Sequence, residues 1–326
     1  MFKYIFILSS FFIFYSVSFA SYDLIQKTIN WKRVNVIKVV LDWTSQVVTS
    51  ISNKGESLDV LVKKVWGVAG VNWAYFCPKD YGNCGGIDYT NAPRFYEWKN
   101  YSKYENDFWV NGVFAFDDDW KPFIVMNQIW GEVPEKLQWL KVNIDKISKI
   151  KYWLGNFPVL LLSGQNMVGL YDKLLSYKMK TKNTTNFICY TPDKKIVYMG
   201  NISSINIYEL PDFIKNNFNC YGAINLDAWA SLWIIYKNKY IIKNSRPIMD
   251  AFVVVDKSFI IKKQKILEKY DKLINLVVKK VQKIKNNNPS KYSTIISKLK
   301  FILENYSDNF EINVVISSLL SRLNEI

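Results

Sequence analysis

Residues 221–231, YGAINLDAWAS, most constrain what this chain can fold into. A mostly apolar run, residues 222–226, ends in the carboxylate of Asp227, and small residues and a serine follow at once. A short apolar run bounded in this way reads as a buried strand. It delivers an acid to the edge of a sheet with little bulk around it, so that a ligand can approach the backbone. The candidate catalytic group is therefore Asp227, flanked by Asn225 and Ser231.

Several other segments are strand-like. Residues 33–41 are rich in β-branched side chains, and residues 158–163 form a buried-type apolar run. Hairpins are expected over residues 108–126, 181–202 and 232–243, with turns at 117–122, 192–195 and 237–239. Asp117, Asp118 and Asp119 read as turn residues, because three adjacent acids do not have calcium-loop spacing. Short helices suit residues 58–64 and 208–217. The fold class expected for residues 21–256 is α+β, a strand-rich mixed-sheet domain of catalytic type.

The tail, residues 257–326, changes character. Ile266, Tyr270, Leu273, Val277, Val281 and Ile284 recur at helical spacing. Residues 286–290 stop that stripe, with Ser290 as the expected cap of the next helix. Two more stripes follow, through Ile295 to Leu303 and Ile312 to Leu323. Three amphipathic helices can close a C-terminal bundle or dock on the domain, and a membrane-surface helix is the functional alternative.

The first 20 residues read as a secretory signal peptide. Lys3 is followed by an apolar stretch, and Ser18 and Ala20 supply small residues before a cleavage site after Ala20. The alternative is an uncleaved N-terminal anchor. The mature chain is expected to be secreted or held at the cell surface. In an oxidising compartment four cysteines suggest two bridges. Cys77 and Cys84 enclose a short loop and are expected to pair. Cys189 and Cys220 either pair across neighbouring strands or remain buried thiols. Neither spacing suits zinc, so no metal site is expected.

The chain has no histidine, which excludes Ser-His-Asp and Cys-His catalysis. Acid–base work falls to Asp, Glu, Tyr or Lys. No phosphate-binding glycine loop or dinucleotide fingerprint is present, so no cofactor is expected. The net charge is +15, and residues 257–326, with 14 Lys or Arg against 6 Asp or Glu, carry +8 of it. Such a surface either is simply solvated or makes peripheral contact with an anionic membrane or wall polymer. Export argues against a nucleic-acid partner.

The wording around Asp227 resembles the Leu-Asp-Gly-Gly-Gly-Ser signature of the phosphodiester glycosidase family. Ala228, Trp229 and Ala230 stand where that signature has glycines. Residues 65–76, VWGVAGVNWAYF, are similar to the family's Asn-Gly-Gly-Tyr-Phe segment. Residues 187–199 are similar to its central hairpin, and residues 245–254, SRPIMDAFVV, to its closing Arg-Pro strand. Order and spacing agree over residues 30–256. The resemblance implies an exported hydrolase that cleaves a sugar from a sugar-1-phosphodiester in a phosphorylated glycan or surface polymer. It implies Asp227 as the acid, with Asn72, Asn225, Ser231 and Arg246 binding substrate. An Arg-Thr pair of the family is replaced by Thr185-Asn186, and Lys180 or Lys182 either stands in for that arginine or is merely solvated. Asp227 is either raised in pKa as a general acid or held ionised as a nucleophile or oxocarbenium stabiliser.

Tryptophan is over-represented, with 12 Trp against 13 Gly. Asn30-Trp31, Asp42-Trp43, Asn72-Trp73 and Asp119-Trp120 read more naturally as Asn-Gly or Asp-Gly turns. Trp73 and Trp229 also stand at family glycines. Two readings follow. Either UGA codons that specify glycine have been translated as tryptophan, or the rings form a carbohydrate-binding surface, with Trp73 and Trp229 filling the cleft. The second favours a degraded relative that binds glycan without cleaving it. A structural surface protein attached through the basic tail is the remaining alternative.

Overall fold

The computed structural model describes residues 21–42, 44–77, 89–90, 94–96, 99–100, 112–126, 150–305 and 310–324. The expected signal peptide and the Cys77–Cys84 bridge lie outside the described residues. Two units divide the chain, residues 1–255 and 256–326.

The first unit is α+β and rests on three sheets. The largest has seven strands, in the spatial order Tyr22–Ile29, Lys32–Val40, Ile196–Ile205, Asn183–Tyr190, Gly222–Leu226, Val159–Leu162 and Gln165–Asn166. All its neighbours run antiparallel. A five-stranded sheet holds Lys239–Ile242, Ile234–Tyr236, Gly67–Asn72, Ile248–Asp256 and Ser45–Glu56. A second five-stranded sheet holds Pro122–Met126, Gly112–Asp117, Ile150–Asn156, Arg94–Tyr96 and Lys99–Asn100. The expected hairpins are present where described, and residues 58–64 form a helix, Leu58–Lys64.

The sheets meet on an aromatic cluster. Phe114 and Phe116 come from one sheet, Phe252 from the second and Tyr190 from the first. Phe114 lies 5.7 Å from Phe252 and 5.8 Å from Tyr190 between ring centroids, both edge-on. Edge-to-face packing suits the ring quadrupoles and adds to the burial of apolar area. Trp73 joins this cluster, 4.0 Å from Phe252.

The approach to Asp227 is set locally. The helix Leu210–Phe218 ends at Asn219, whose left-handed backbone (φ 54°) turns the chain back, its N–H bonded to the carbonyls of Ile214 and Lys215. Asn is one of the few residues that tolerates this cap. Cys220 follows and is bonded to Cys189 on the neighbouring strand, so of the two readings for this pair the bridge is the one that forms. A Cβ at Gly222 would stand 2.4 Å from the Tyr190 ring, so only glycine fits where the strand begins. The strand then runs buried from Gly222 to Leu226 and releases Asp227 at its end.

The second unit contains three helices, Lys257–Asn287, Pro289–Asn305 and Phe310–Asn324. Ile274, Val281, Leu319 and Leu323 form its buried centre, with Tyr292, Ile295, Ile296 and Leu299 packed against them. Two expectations are corrected. Leu273 of the expected stripe is 52% exposed, and its neighbour Ile274 is buried instead. The cap of the middle helix is Asn288, whose Oδ1 accepts from the Lys291 N–H at 3.0 Å. Pro289 occupies the first helical position, which costs no hydrogen bond there, and Ser290 is already inside the helix. No helix among the described residues is long and apolar enough to cross a membrane.

The bridge closes a sequence separation of 31 residues around two buried sulfurs. Cys220→Ser should therefore lower the free energy of unfolding by about 2–4 kcal/mol. Urea denaturation would measure this, and an unchanged midpoint would contradict it.

Candidate active site

Asp227 is fixed through its backbone before its side chain is considered. Its N–H donates to the Trp73 carbonyl at 2.7 Å. Its own carbonyl accepts from Asn72 Nδ2 at 2.8 Å and from Asn186 Nδ2 at 3.2 Å. The Trp73 carbonyl also accepts from Asn156 Nδ2 at 3.1 Å. Asn72 and Asn186, from two sheets, thus bond Asp227 directly, and Asn156 ties the third sheet to it through the shared Trp73 carbonyl.

Asn72 and Asn186 form the centre of this clamp. Asn72 Oδ1 accepts from Asn186 Nδ2 at 3.2 Å and from the Trp233 N–H at 2.9 Å. Both side chains are buried. The amide of Asn72 is therefore engaged inside the protein, beneath the acid. Asn225 is buried likewise, and its Nδ2 donates to the Tyr75 hydroxyl at 2.8 Å and the Phe157 carbonyl at 3.0 Å. These contacts give Asn72 and Asn225 the geometry of positioning residues.

The carboxyl of Asp227 has a different environment. The residue as a whole is half-buried. Loss of water around the carboxyl nevertheless dominates its ionisation and pushes its pKa up to about 7. Opposing that, in order, are a hydrogen bond from the Ser231 side chain, one from the Ala228 N–H at 2.9 Å, and the positive charge of Arg246. The negative charge of Asp250 adds a smaller upward push. The arrangement holds a proton that can be given or taken near neutral pH, which is what general acid–base chemistry needs. Tyr75 stands beside it, its hydroxyl held neutral first by burial and then by the negative charge of Asp227.

Of the sequence-expected group, Ser231 donates a hydrogen bond to the Asp227 carboxyl, and Arg246 acts on it through its charge. Lys180 pairs with Asp172 at 3.3 Å and Lys182 with Glu209 at 3.7 Å, both at the surface. The carbohydrate-surface reading puts Trp73 in the cleft as an open ring. It is instead fully buried, its indole N–H donating to the Gly155 carbonyl at 2.9 Å. Trp229 is 50% exposed next to the acid. Three residues were not expected from sequence. Asn186, Tyr75 and Asp250 act only through partners distant in the chain. Asp250 Oδ1 accepts from the Ala74 N–H at 2.8 Å and its carbonyl from the Trp73 N–H at 3.3 Å.

The fold has a solved counterpart. The catalytic domain of zebrafish N-acetylglucosamine-1-phosphodiester α-N-acetylglucosaminidase, auto-inhibited by its pro-peptide, superposes with a TM-score of 0.51 at 13% identity. The match covers 72% of this chain and 82% of that one. A Synechocystis protein follows at TM-score 0.46 and 9% identity, covering 72% and 61% of the two chains. A Burkholderia pseudomallei protein follows at TM-score 0.40 and 9% identity, covering 70% and 75%. No family model matches the sequence, and no curated protein sequence matches it significantly. The likeness to the glucosaminidase is one of distant fold.

The Ser231 hydrogen bond favours the ionised form of Asp227, so its removal has a definite sign. Ser231→Ala should move the Asp227 pKa above its value of about 7, as read by carboxyl NMR titration. A pKa that fell or stayed constant would refute the hydrogen bond. The ordinary carboxyl value is 3.8, so the unfolded chain ionises first and the folded state loses stability as pH rises from about 4 to about 7. Asp227→Asn should flatten that decline.

Proposed function

We propose that the chain is an exported hydrolase that releases a sugar from a sugar-1-phosphodiester of a surface glycan or polymer. The observation that carries this reading is a half-buried acid at a clamped strand end, Asp227, whose carboxyl takes a hydrogen bond from the Ser231 side chain and feels the positive charge of Arg246. The fold shared with a glucosaminidase acting on a sugar phosphodiester supports it.

In the proposed step, protonated Asp227 gives its proton to the oxygen bridging the anomeric carbon and phosphorus. The carbon–oxygen bond breaks, the phosphate monoester departs and water adds to the anomeric carbon. The proton lost by that water restores Asp227. Arg246 neutralises the phosphate, its planar fork matching two phosphate oxygens. A phosphate ester is already a good leaving group, so a single carboxyl suffices. Ser231 tunes the acid, Asn72 and Asn186 hold it in place, and Asn225 holds the Tyr75 hydroxyl.

The reading includes location and partners. Export is supported by the Cys189–Cys220 disulfide, since such bonds persist in oxidising compartments. The basic three-helix unit would give peripheral contact with anionic wall or membrane. A second reading, a glycan-binding relative without turnover, is favoured by one observation, the half-exposed Trp229 two residues after the acid.

Sugar release from a panel of sugar-1-phosphodiesters tests the two. Asp227→Asn should reduce turnover by about 10²–10⁴-fold or more with the fold intact by circular dichroism. Arg246→Lys should chiefly raise KM. Binding of the panel without any release would establish the second reading, and near-normal release by Asp227→Asn would place the chemistry elsewhere.

A further inference from the structure

Four tryptophans hold a backbone conformation that suits glycine. Their φ angles are 65° at Trp31, 58° at Trp66, 62° at Trp120 and 65° at Trp229. For a bulky L-residue this left-handed region is a genuine outlier, while glycine enters it freely. Aromatic bulk alone does not account for the pattern. The chain has 21 Tyr and 20 Phe, yet among the described residues none of either takes a positive φ.

Each position is also one where local structure calls for glycine. Asn30 and Trp31 are the two loop residues between Ile29 and Lys32, which pair directly. Both have positive φ, as a type I′ hairpin requires, and Asn-Gly is its preferred sequence. Trp31 is 95% exposed, so packing does not hold it there. Trp66 follows the last turn of the Leu58–Lys64 helix, and its N–H bonds the Lys63 carbonyl at 3.0 Å. That is the left-handed position past a helix end, usually glycine. Trp120 closes the hairpin turn begun at Asp117, with its N–H on the Asp117 carbonyl at 3.0 Å. A type I turn followed by one left-handed residue normally places glycine at that residue. Trp229 lies two residues after the acid, opening a short 3₁₀ turn.

The rings do make contacts. Trp120 lies 5.2 Å from the Tyr152 ring, and Lys178 Nζ is 5.0 Å from that of Trp229. Surface contacts of this kind are adaptable and do not select a left-handed backbone. The other described tryptophans differ. Trp73, Trp153 and Trp233 have no positive φ, and the indole N–H groups of Trp73 and Trp233 bond the carbonyls of Gly155 and Arg246.

We propose that residues 31, 66, 120 and 229 are glycine in the protein as its own cells make it, encoded by UGA. UGA is one base from the glycine codon GGA and one from the tryptophan codon UGG, so one anticodon change in a glycine transfer RNA lets it read UGA. Position 229 also sets specificity, a consequence that rests on the hydrolase reading. Glycine there takes a half-exposed indole off the residue two positions after Asp227 and so widens the approach to the acid.

The test is peptide mass spectrometry of the protein purified from the cells that naturally produce it, with the gene sequenced. Glycine at all four positions over UGA codons is expected, and tryptophan at any of them, or UGG, overturns the proposal. In recombinant protein, Trp31→Gly, Trp66→Gly and Trp120→Gly should each raise the melting midpoint by about 2–4 °C. Midpoints that fell at all three would also overturn it. Trp229→Gly should raise kcat/KM on the sugar-1-phosphodiester panel at least tenfold. Glycine in the native peptides with no sugar release from Trp229→Gly would sink the hydrolase reading and leave the recoding intact.

Discussion

The backbone of Asp227 is bonded on both sides to chain distant in sequence, and the arrangement of the site depends on that. Its N–H reaches Trp73, and its carbonyl is shared by Asn72 and Asn186. Asn186 lies in the seven-stranded sheet and Asn72 at the end of a strand in a five-stranded one. Two primary amides therefore join two sheets at the residue that carries the acid. Buried amides are costly unless satisfied, so replacing either would leave the opposite partner exposed to the full desolvation penalty. The clamp thus specifies one relative placement of the strand ends, and the aromatic cluster of Phe114, Phe252, Tyr190 and Trp73 fills the space behind it.

The side chain of the same residue is governed by opposition. Burial favours the neutral carboxyl, while Ser231, the Ala228 N–H and Arg246 favour the carboxylate. Had burial acted alone, the group would hold its proton too tightly to release it. Had the donors and the guanidinium acted alone, it would be a spent base at neutral pH. The bonds that tie Asp227 to distant chain use its main-chain atoms, while its carboxyl accepts from the adjacent Ala228 N–H and Ser231 side chain. A single acid can then cycle its proton without loosening the strand end.

The strand that ends in Asp227 was legible because its information is local: an apolar run, an acid and small residues. The hairpins at 181–202 and 232–243 were legible for the same reason, since turn chemistry is written in adjacent residues. What was missed is non-local. Tyr22–Ile29 is largely exposed on an edge and has no apolar alternation to betray it. Asn186 looked like a lost arginine–threonine pair, and only the pairing of Asn183–Tyr190 with Gly222–Leu226 puts it under Asp227. Asp250 sits in a run of buried residues and acquires its role from Ala74, far away in sequence. The tail shows the same limit more gently. Helical spacing located its helices, but which side of Leu273 or Ile274 is buried depends on where neighbouring helices lie.

The tryptophans show how far local reasoning reaches when it is tied to backbone geometry. Doublets such as Asn30-Trp31 and Asp119-Trp120 looked like turns with the wrong second residue. Their backbones are those of the turns that Asn-Gly and Asp-Gly would make. Trp66 carries no such doublet, yet it shares the left-handed geometry at a helix end. Asn72-Trp73 did carry the doublet, but Trp73 is not left-handed and packs in the core. The criterion that separates these cases is φ, because only the left-handed region penalises a Cβ. A dipeptide pattern proposes where glycine belongs. The conformation that the surrounding hydrogen bonds impose decides whether anything but glycine can rest there without strain.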